Sequence, residues 1–140
     1  NMLASNQILL EKGGTHVEFD EKPVHVWADE FMIEEVVSNY LSNARNHVSE
    51  NGTIRISYSR HGDNLRVTVY NTGKHIPEED LDKLWVKFYK VDKARTREYG
   101  GSGVGLSIVE ATMKAHGKDY GVFNVKGGVE FYFEVELDKK

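Results

Sequence analysis

The alternation of apolar and polar positions is sharpest near the end of the chain. Val129, Phe131, Phe133, Val135 and Leu137 fall on one face of an extended segment; Glu130, Tyr132, Glu134 and Glu136 fall on the other. A period of two marks a β-strand with one buried face. Residues 120–125 predict a partner strand across Lys126, Gly127 and Gly128. Residues 53–59 and 65–70 alternate in the same way around Arg60-His61-Gly62-Asp63, which predicts a hairpin. Residues 15–20 and 24–28 predict two short strands around Glu21-Lys22-Pro23.

Helical spacing fills the rest. Residues 2–12 predict a short helix stopped by Gly13-Gly14. Asp29 is the expected N-cap of a long helix, about 30–49, whose apolar stripe is Ile33, Val37, Tyr40, Leu41, Ala44 and Val48. Residues 78–87 predict a helix with acids in its first turn, and about 106–116 another that Gly117 terminates. No repeat or linker divides the chain, so residues 1–140 form one domain. Strands with one apolar face and helices with one apolar stripe predict an α/β (α+β) two-layer sandwich, a mixed, mostly antiparallel sheet packed on three main helices.

Composition narrows the chemistry. The net charge of −4 gives no reason to expect a nucleic-acid surface or a polybasic membrane patch. There is no cysteine, which removes disulfides, thiolate nucleophiles and Cys-built zinc sites and fits a cytoplasmic setting. No apolar run approaches the ~18–20 residues of a membrane span, so direct membrane insertion is not expected. The start at Asn1 and the end at Lys140 suggest a piece of a longer protein.

Three polar features stand out. Glu35, Asn39, Asn43 and Asn46 fall within roughly an 80° arc of the long helix. The stripe is either a solvated helix face or a ligand face; Asn is a poor helix former, so three on one stripe cost helix propensity, which a metal ion or polar ligand would offset. The carboxamide oxygen of Asn43 suits Mg²⁺, a hard ion that takes one or two protein ligands plus substrate phosphates. His47, one turn on, either donates to a phosphate or caps the helix end. Second, Gly100-Gly101-Ser102-Gly103-Val104-Gly105 opens a helix, where free N–H groups and close backbone approach favour phosphate. It is neither a Walker loop nor a Rossmann fingerprint. The basic segment before it, with Lys90, Lys93, Arg95 and Arg97, is either a solvated loop or a lid that closes over a triphosphate. Third, the strand at 65–70 ends in Asn71-Thr72-Gly73, taken alone an ordinary turn; in order with the other two features, Asn71 could hydrogen-bond a base edge and Gly73 would leave it room.

Taken in chain order, these elements resemble the ATP-binding catalytic domain of bacterial two-component sensor histidine kinases. Its Bergerat fold is shared with gyrase, mismatch-repair ATPases and related chaperones. The resemblance covers about residues 15–137. Asn39-Tyr40-Leu41-Ser42-Asn43-Ala44 looks like the N box, Asn71-Thr72-Gly73 with Ile76-Pro77 like the first glycine box, Trp85 and Phe88 like the F box, and Gly101-Ser102-Gly103-Val104-Gly105-Leu106 like the second glycine box. Residues 90–100 become a mobile ATP lid.

The resemblance implies roles. Asn43 holds Mg²⁺, and Asn46 and His47 reach the phosphates or ribose. Asn71, Gly73 and Ile76 hold adenine, with Tyr89 near its face. Gly101, Gly103, Gly105 and Leu106 form the phosphate cradle, and Lys90 and Arg95 balance the γ-phosphate. Asn39 stands where hydrolysing relatives carry a glutamate base; an amide cannot take a proton from water, so the domain hydrolyses ATP poorly and delivers phosphate to a protein. By resemblance the acceptor is a histidine on a separate dimerisation domain of the same parent. No His here sits in a His-Asp/Glu-Leu-Arg/Lys-Thr-Pro-like run, which places that domain outside this chain. A response regulator is the implied partner downstream, and the parent is expected to be anchored in the cell membrane.

Three positions depart from the family pattern. Asn71 replaces an aspartate, keeping one acceptor but adding an NH₂ donor and losing a charge; charged acceptors bind roughly twice as strongly. His75 replaces a glycine, and Asn46 a frequent lysine. Two other readings accompany the kinase: a degenerate nucleotide-sensing or docking module without phosphotransfer, and a serine kinase of the anti-sigma-factor type, which shares the fold.

Overall fold

A computed structural model of the chain describes residues 16–19, 26–27, 30–86 and 105–137. The expected helix at 2–12, the Asp29 cap and the segment at 90–100 lie outside the described residues. Strand β1 is His16–Phe19, β2 is Val26–Trp27, helix α1 is Glu30–His47, β3 is Thr53–His61, β4 is Asn64–Thr72, α2 is Gly105–Ala115, β5 is Tyr120–Val125 and β6 is Gly128–Leu137.

The six strands form one sheet, and β6 is its hub. One edge of β6 pairs antiparallel with β4 over the whole length of that strand. The other edge is shared: β5 takes residues 128–133 and β2 takes Glu136 and Leu137. Beyond β4 lies β3, antiparallel, and beyond β3 lies β1, parallel. The sheet is mixed and mostly antiparallel, as the alternation predicts.

Both helices lie on the sheet face that carries Ile54, Ile56, Leu65, Val69, Val129, Phe131, Phe133 and Val135, all buried. The apolar stripe of α1 behaves as its spacing requires: Val37, Tyr40, Leu41 and Ala44 are buried, and Ile33 and Val48 pack against the core. Met32 and Val36, outside that stripe, are buried too. Helix α1 has a second apolar side because α2 lies against it, contributing Val109 and Met113 to the same core. Tyr40 sits at the centre. Its ring meets Trp85, Phe131 and Phe133 at 5.3–6.5 Å between centroids, and its hydroxyl donates to the Tyr132 carbonyl at 2.8 Å. Burial pushes this phenol well above its usual range, so it stays a donor.

Helix α2 ends as expected at Gly117. The Gly117 N–H donates to the Lys114 carbonyl and the Lys118 N–H to the Met113 carbonyl, with Gly117 at φ +64°, a Schellman cap. The helix expected over 78–87 is not formed as such. Glu78–Asp80 is a 3₁₀ turn, followed by hydrogen-bonded turns to Val86. The N–H groups of Asp80, Leu81, Lys83 and Val86 all bond three residues back, to Pro77, Glu78, Asp80 and Lys83. This tighter winding delivers Trp85 to the core, where its ring meets Tyr120 edge-on at 4.9 Å. The described residues hold two α-helices and this turn.

The outer sheet face is less open than a simple polar face would be. Tyr132 and Glu134 are only 8% and 7% exposed. Arg66, the register partner of Glu134 on β4, donates to its carboxylate through Nε and Nη2 at 2.9 and 2.8 Å. Its guanidinium lies 3.9 Å over the Tyr132 ring, and Phe123 also stacks on that ring. Gly121 makes this possible: a Cβ there would lie 2.7 Å from a Tyr132 ring carbon.

Phe133→Ala should lower the unfolding free energy by about 3–5 kcal/mol, and Tyr40→Phe by about 1 kcal/mol, in urea denaturation. Stability should also fall at alkaline pH. Burial raises the Tyr40 and Tyr132 phenols and, with the Glu110 carboxylate that accepts from its hydroxyl, pushes Tyr120 up to about 12. The unfolded chain releases these protons near pH 10, before the folded one does. The stabilisation is complete below that pH and is lost as pH rises through the folded values. Melting temperatures followed together with tyrosinate absorbance would check this.

Candidate functional site

The polar stripe of α1 divides in two. Its first half is spent on α2. The Thr112 hydroxyl donates to Glu35 at 3.0 Å, and Asn39 Nδ2 donates to the Glu35 carbonyl at 2.9 Å. Asn39 Oδ1 lies where it would be 2.9 Å from a Cβ on Gly105, so the first residue of α2 must lack a side chain to approach α1 this closely. Helix α2 runs antiparallel to α1, and its N-terminus meets the middle of the stripe. The second half, with Asn43, Asn46 and His47, continues past α2 towards the end of β4. Asn43 and Asn46 are half-buried and His47 is exposed.

At that end the two elements meet. Asn71 continues the in-facing register of Leu65, Val67 and Val69, so a polar side chain occupies a core position and is 2% exposed. A buried amide requires hydrogen bonds. Its Nδ2 donates to the Thr72 carbonyl at 3.1 Å, which orients Oδ1 as an acceptor beside it. Gly73 has φ +152°, and a Cβ on it would sit 2.8 Å from the His47 carbonyl. The loop after β4 therefore touches the last turn of α1. Ser49 and Thr72 lock the junction: the Ser49 N–H donates to the Thr72 carbonyl at 2.9 Å, and the two hydroxyls lie 2.8 Å apart. Ile76 and Leu106 are half-buried against the core.

One polar lining thus runs from the start of α2, along α1, to the strand end at Asn71. The sequence profile of the histidine kinase-, DNA gyrase B- and HSP90-like ATPases matches residues 28–139, a span that contains all of these elements. The chain belongs to this ATPase family. It is 36% identical over 118 residues to the sensor histidine kinase WalK of Bacillus subtilis, covering 80% of this chain and 19% of that protein. To the sensor protein VanSB of Enterococcus faecalis it is 36% identical over 110 residues, with coverages of 79% and 25%. It therefore spans about a fifth to a quarter of these curated relatives. Among solved structures, the catalytic domain of the histidine kinase ThkA superposes with a TM-score of 0.79 at 29% identity, covering 97% of this chain and 90% of that one. ThkA in complex with the response regulator protein TrrA superposes with a TM-score of 0.77 at 29% identity, covering 99% of this chain and 41% of that one.

The ATPase family assigns ATP binding to the domain. Of the residues expected to serve it, Asn39, Asn43, Asn46, His47, Asn71, Gly73, Ile76, Gly105 and Leu106 are among those described. Lys90, Arg95, Tyr89, Gly101 and Gly103 lie outside them, as does Phe88. Asn39 and Gly105 touch, as do Gly73 and the end of α1; those two contacts bracket Asn43 and Asn46. Trp85 is buried in the core against Tyr40, Tyr120 and Phe131. The described residues contain no group of three or more His, Cys, Asp or Glu suited to a metal. A carboxamide oxygen such as that of Asn43, together with phosphate oxygens, is a donor set that would fit Mg²⁺.

Sequence reasoning gave no role to Ser49, to Asn124 or to the side chain of Thr72. Asn124 holds the loop after β4 by two hydrogen bonds to Ile76. Its signal was available, since it is a polar residue at an in-facing position of β5, in the register of Tyr120 and Val122.

Two glycine substitutions test the geometry. Gly73→Ala is expected to weaken Mg-ATP about tenfold or more, because the new methyl meets backbone and the conformation is strained. Gly105→Ala is expected to destabilise the domain by about 1–3 kcal/mol by pushing α2 off Asn39. Isothermal titration and thermal melts separate the two effects.

Proposed function

We propose that this ATPase domain is the catalytic part of a sensor histidine kinase. It presents the γ-phosphate of Mg-ATP to a histidine on a separate dimerisation domain of its parent, for onward transfer to a response regulator. The observation that carries the reading is the meeting of Asn71 and Gly73 with the carboxamide end of α1, while Asn39 abuts the start of α2. The likeness to WalK and VanSB, and the response regulator seated with ThkA, support the acceptor and the partner.

On this reading Asn71, Gly73 and Ile76 hold adenine. Asn43 offers its carboxamide oxygen to Mg²⁺, and Asn46 and His47 face the phosphates or ribose. Gly105 and Leu106, with Gly101 and Gly103 ahead of them, cradle phosphate at the start of α2. Lys90 and Arg95 from the preceding segment, the ATP lid, offset the charge on the γ-phosphate. Bound Mg²⁺ would neutralise phosphate charge. Everything else is positioning. Two features suit transfer to protein over hydrolysis. Asn39 is an amide and its NH₂ is engaged by the Glu35 carbonyl; the Glu35 carboxylate, one turn away, accepts from Thr112. The Asn39 amide cannot deprotonate water, and the Glu35 carboxylate is turned towards α2. In this reading the parent is anchored in the cell membrane and the domain lies on its cytoplasmic side; no described helix is long and apolar enough to cross a membrane.

The test is transfer of labelled γ-phosphate from ATP to a supplied histidine-bearing dimerisation domain. Transfer is expected with magnesium and not without it. Asn43→Ala should reduce it about a hundredfold or more, since several kcal/mol of charge stabilisation go with the ion, while circular dichroism is unchanged. Full activity in that variant removes Asn43 as the metal ligand. A wild-type domain that binds no ATP at millimolar concentration is a docking module instead.

A further inference from the structure

The loop that leaves β4 is stitched to the β5–β6 hairpin at three successive points. The Gly73 N–H donates to the Gly127 carbonyl at 3.1 Å. His75 Nε2 lies 2.6 Å from the Val125 carbonyl, to which it donates. Ile76 meets Asn124 twice: its N–H donates to Oδ1 at 2.9 Å, and Asn124 Nδ2 donates to its carbonyl at 2.7 Å. Since β4 and β5 flank β6, the loop crosses the end of β6 from one edge to the other. Gly128 lets it start close, because a Cβ there would run into the Asn71 carbonyl.

Asn124 is placed in register with the base-contacting residue. Asn71 pairs with Val129 on one side, and Asn124 pairs with Val129 on the other. The three form one cross-strand row on the in-facing side, with adjacent strands ~4.8 Å apart. Asn124 therefore fixes Ile76 at a set distance from Asn71. Only a carboxamide can do so. The Ile76 backbone presents one donor and one acceptor, and among side chains of this length only Asn returns one of each.

We infer that Asn124 is a positioning residue for nucleotide binding: by clamping both backbone groups of Ile76, it sets the wall of the base site opposite Asn71. The inference rests on the nucleotide reading above. The clamp's job is selective, since it bears on the base and not on the phosphates, which lie towards α2.

The test compares the 140-residue chain with Asn124→Ala and Asn124→Asp. Asp keeps the acceptor for the Ile76 N–H but sets a carboxylate against the Ile76 carbonyl, so it retains half of the clamp. Wild-type binding of Mg-ATP is measured first; its absence defeats the nucleotide reading itself and this inference with it. Given binding, amide hydrogen exchange at Ile76 should quicken about tenfold in Asn124→Ala and less in Asn124→Asp, as loss of one or two hydrogen bonds implies. Mg-ATP should bind about tenfold more weakly to Asn124→Ala, while competing Mg-tripolyphosphate, which has no base, changes less than about twofold. Unaltered exchange at Ile76 overturns the clamp. Faster exchange with unaltered ATP affinity, or equal weakening of ATP and tripolyphosphate, overturns the positioning role. Should Asn124→Ala fail to fold, Asn124→Asp carries the test: a smaller loss of ATP affinity is expected from the lost bond to the Ile76 carbonyl, and unaltered ATP affinity overturns the positioning role.

Discussion

Strand β6 must satisfy hydrogen bonds on both of its edges while burying one side, and the rest of the domain is arranged around that requirement. Its in-facing residues Val129, Phe131, Phe133 and Val135 are nearly inaccessible to water. Burying side chains of this size contributes roughly 1.5–3 kcal/mol each. That burial needs a helix layer above and a partner strand at each edge. Strand β4 fills one edge completely, and β5 and β2 divide the other. Tyr40 ties the helix layer to this strand by ring contacts and by a hydrogen bond to its backbone.

The site forms where this core ends. Along β4 the in-facing positions run Leu65, Val67, Val69 and then Asn71, so the apolar layer gives way to an amide within one strand. On α1 the change is lateral, from an apolar stripe to a polar one. In the reading advanced above, the carboxamides at this border meet a ligand with a flat base at one end and charged phosphates at the other. The hydroxyl pair of Ser49 and Thr72 and the amide of Asn124 occupy the same border, and all three fasten loops. None is a ligand in the reading advanced above; they set the spacing of those that are.

The sheet architecture could be read from the chain because a period of two is local information. The strand at 120–125 has the expected bounds, and those at 53–61, 64–72 and 128–137 run one or two residues beyond the expected ends. The segment at 78–86 could not be read so well, since its tight 3₁₀ winding answers to where Trp85 must land among Tyr40, Phe131 and Tyr120. The polar outer face likewise misled: Tyr132 and Glu134 are covered by Arg66 and Phe123 from neighbouring strands. Cross-strand neighbours follow from register, which a single strand's pattern does not contain.

By itself the sequence determined the class of fold, the ATPase family and the run of carboxamides and glycines that marks a nucleotide site, because periodicity and motif order are properties of a chain. Tertiary structure alone decided how the stripe is used. Glu35 and Asn39 are drawn to α2, Gly73 lies against the end of α1, and Asn124 clamps Ile76 from a strand 48 residues away. These contacts join residues distant in sequence, and only the closing of the sheet on β6 brings them within hydrogen-bonding reach.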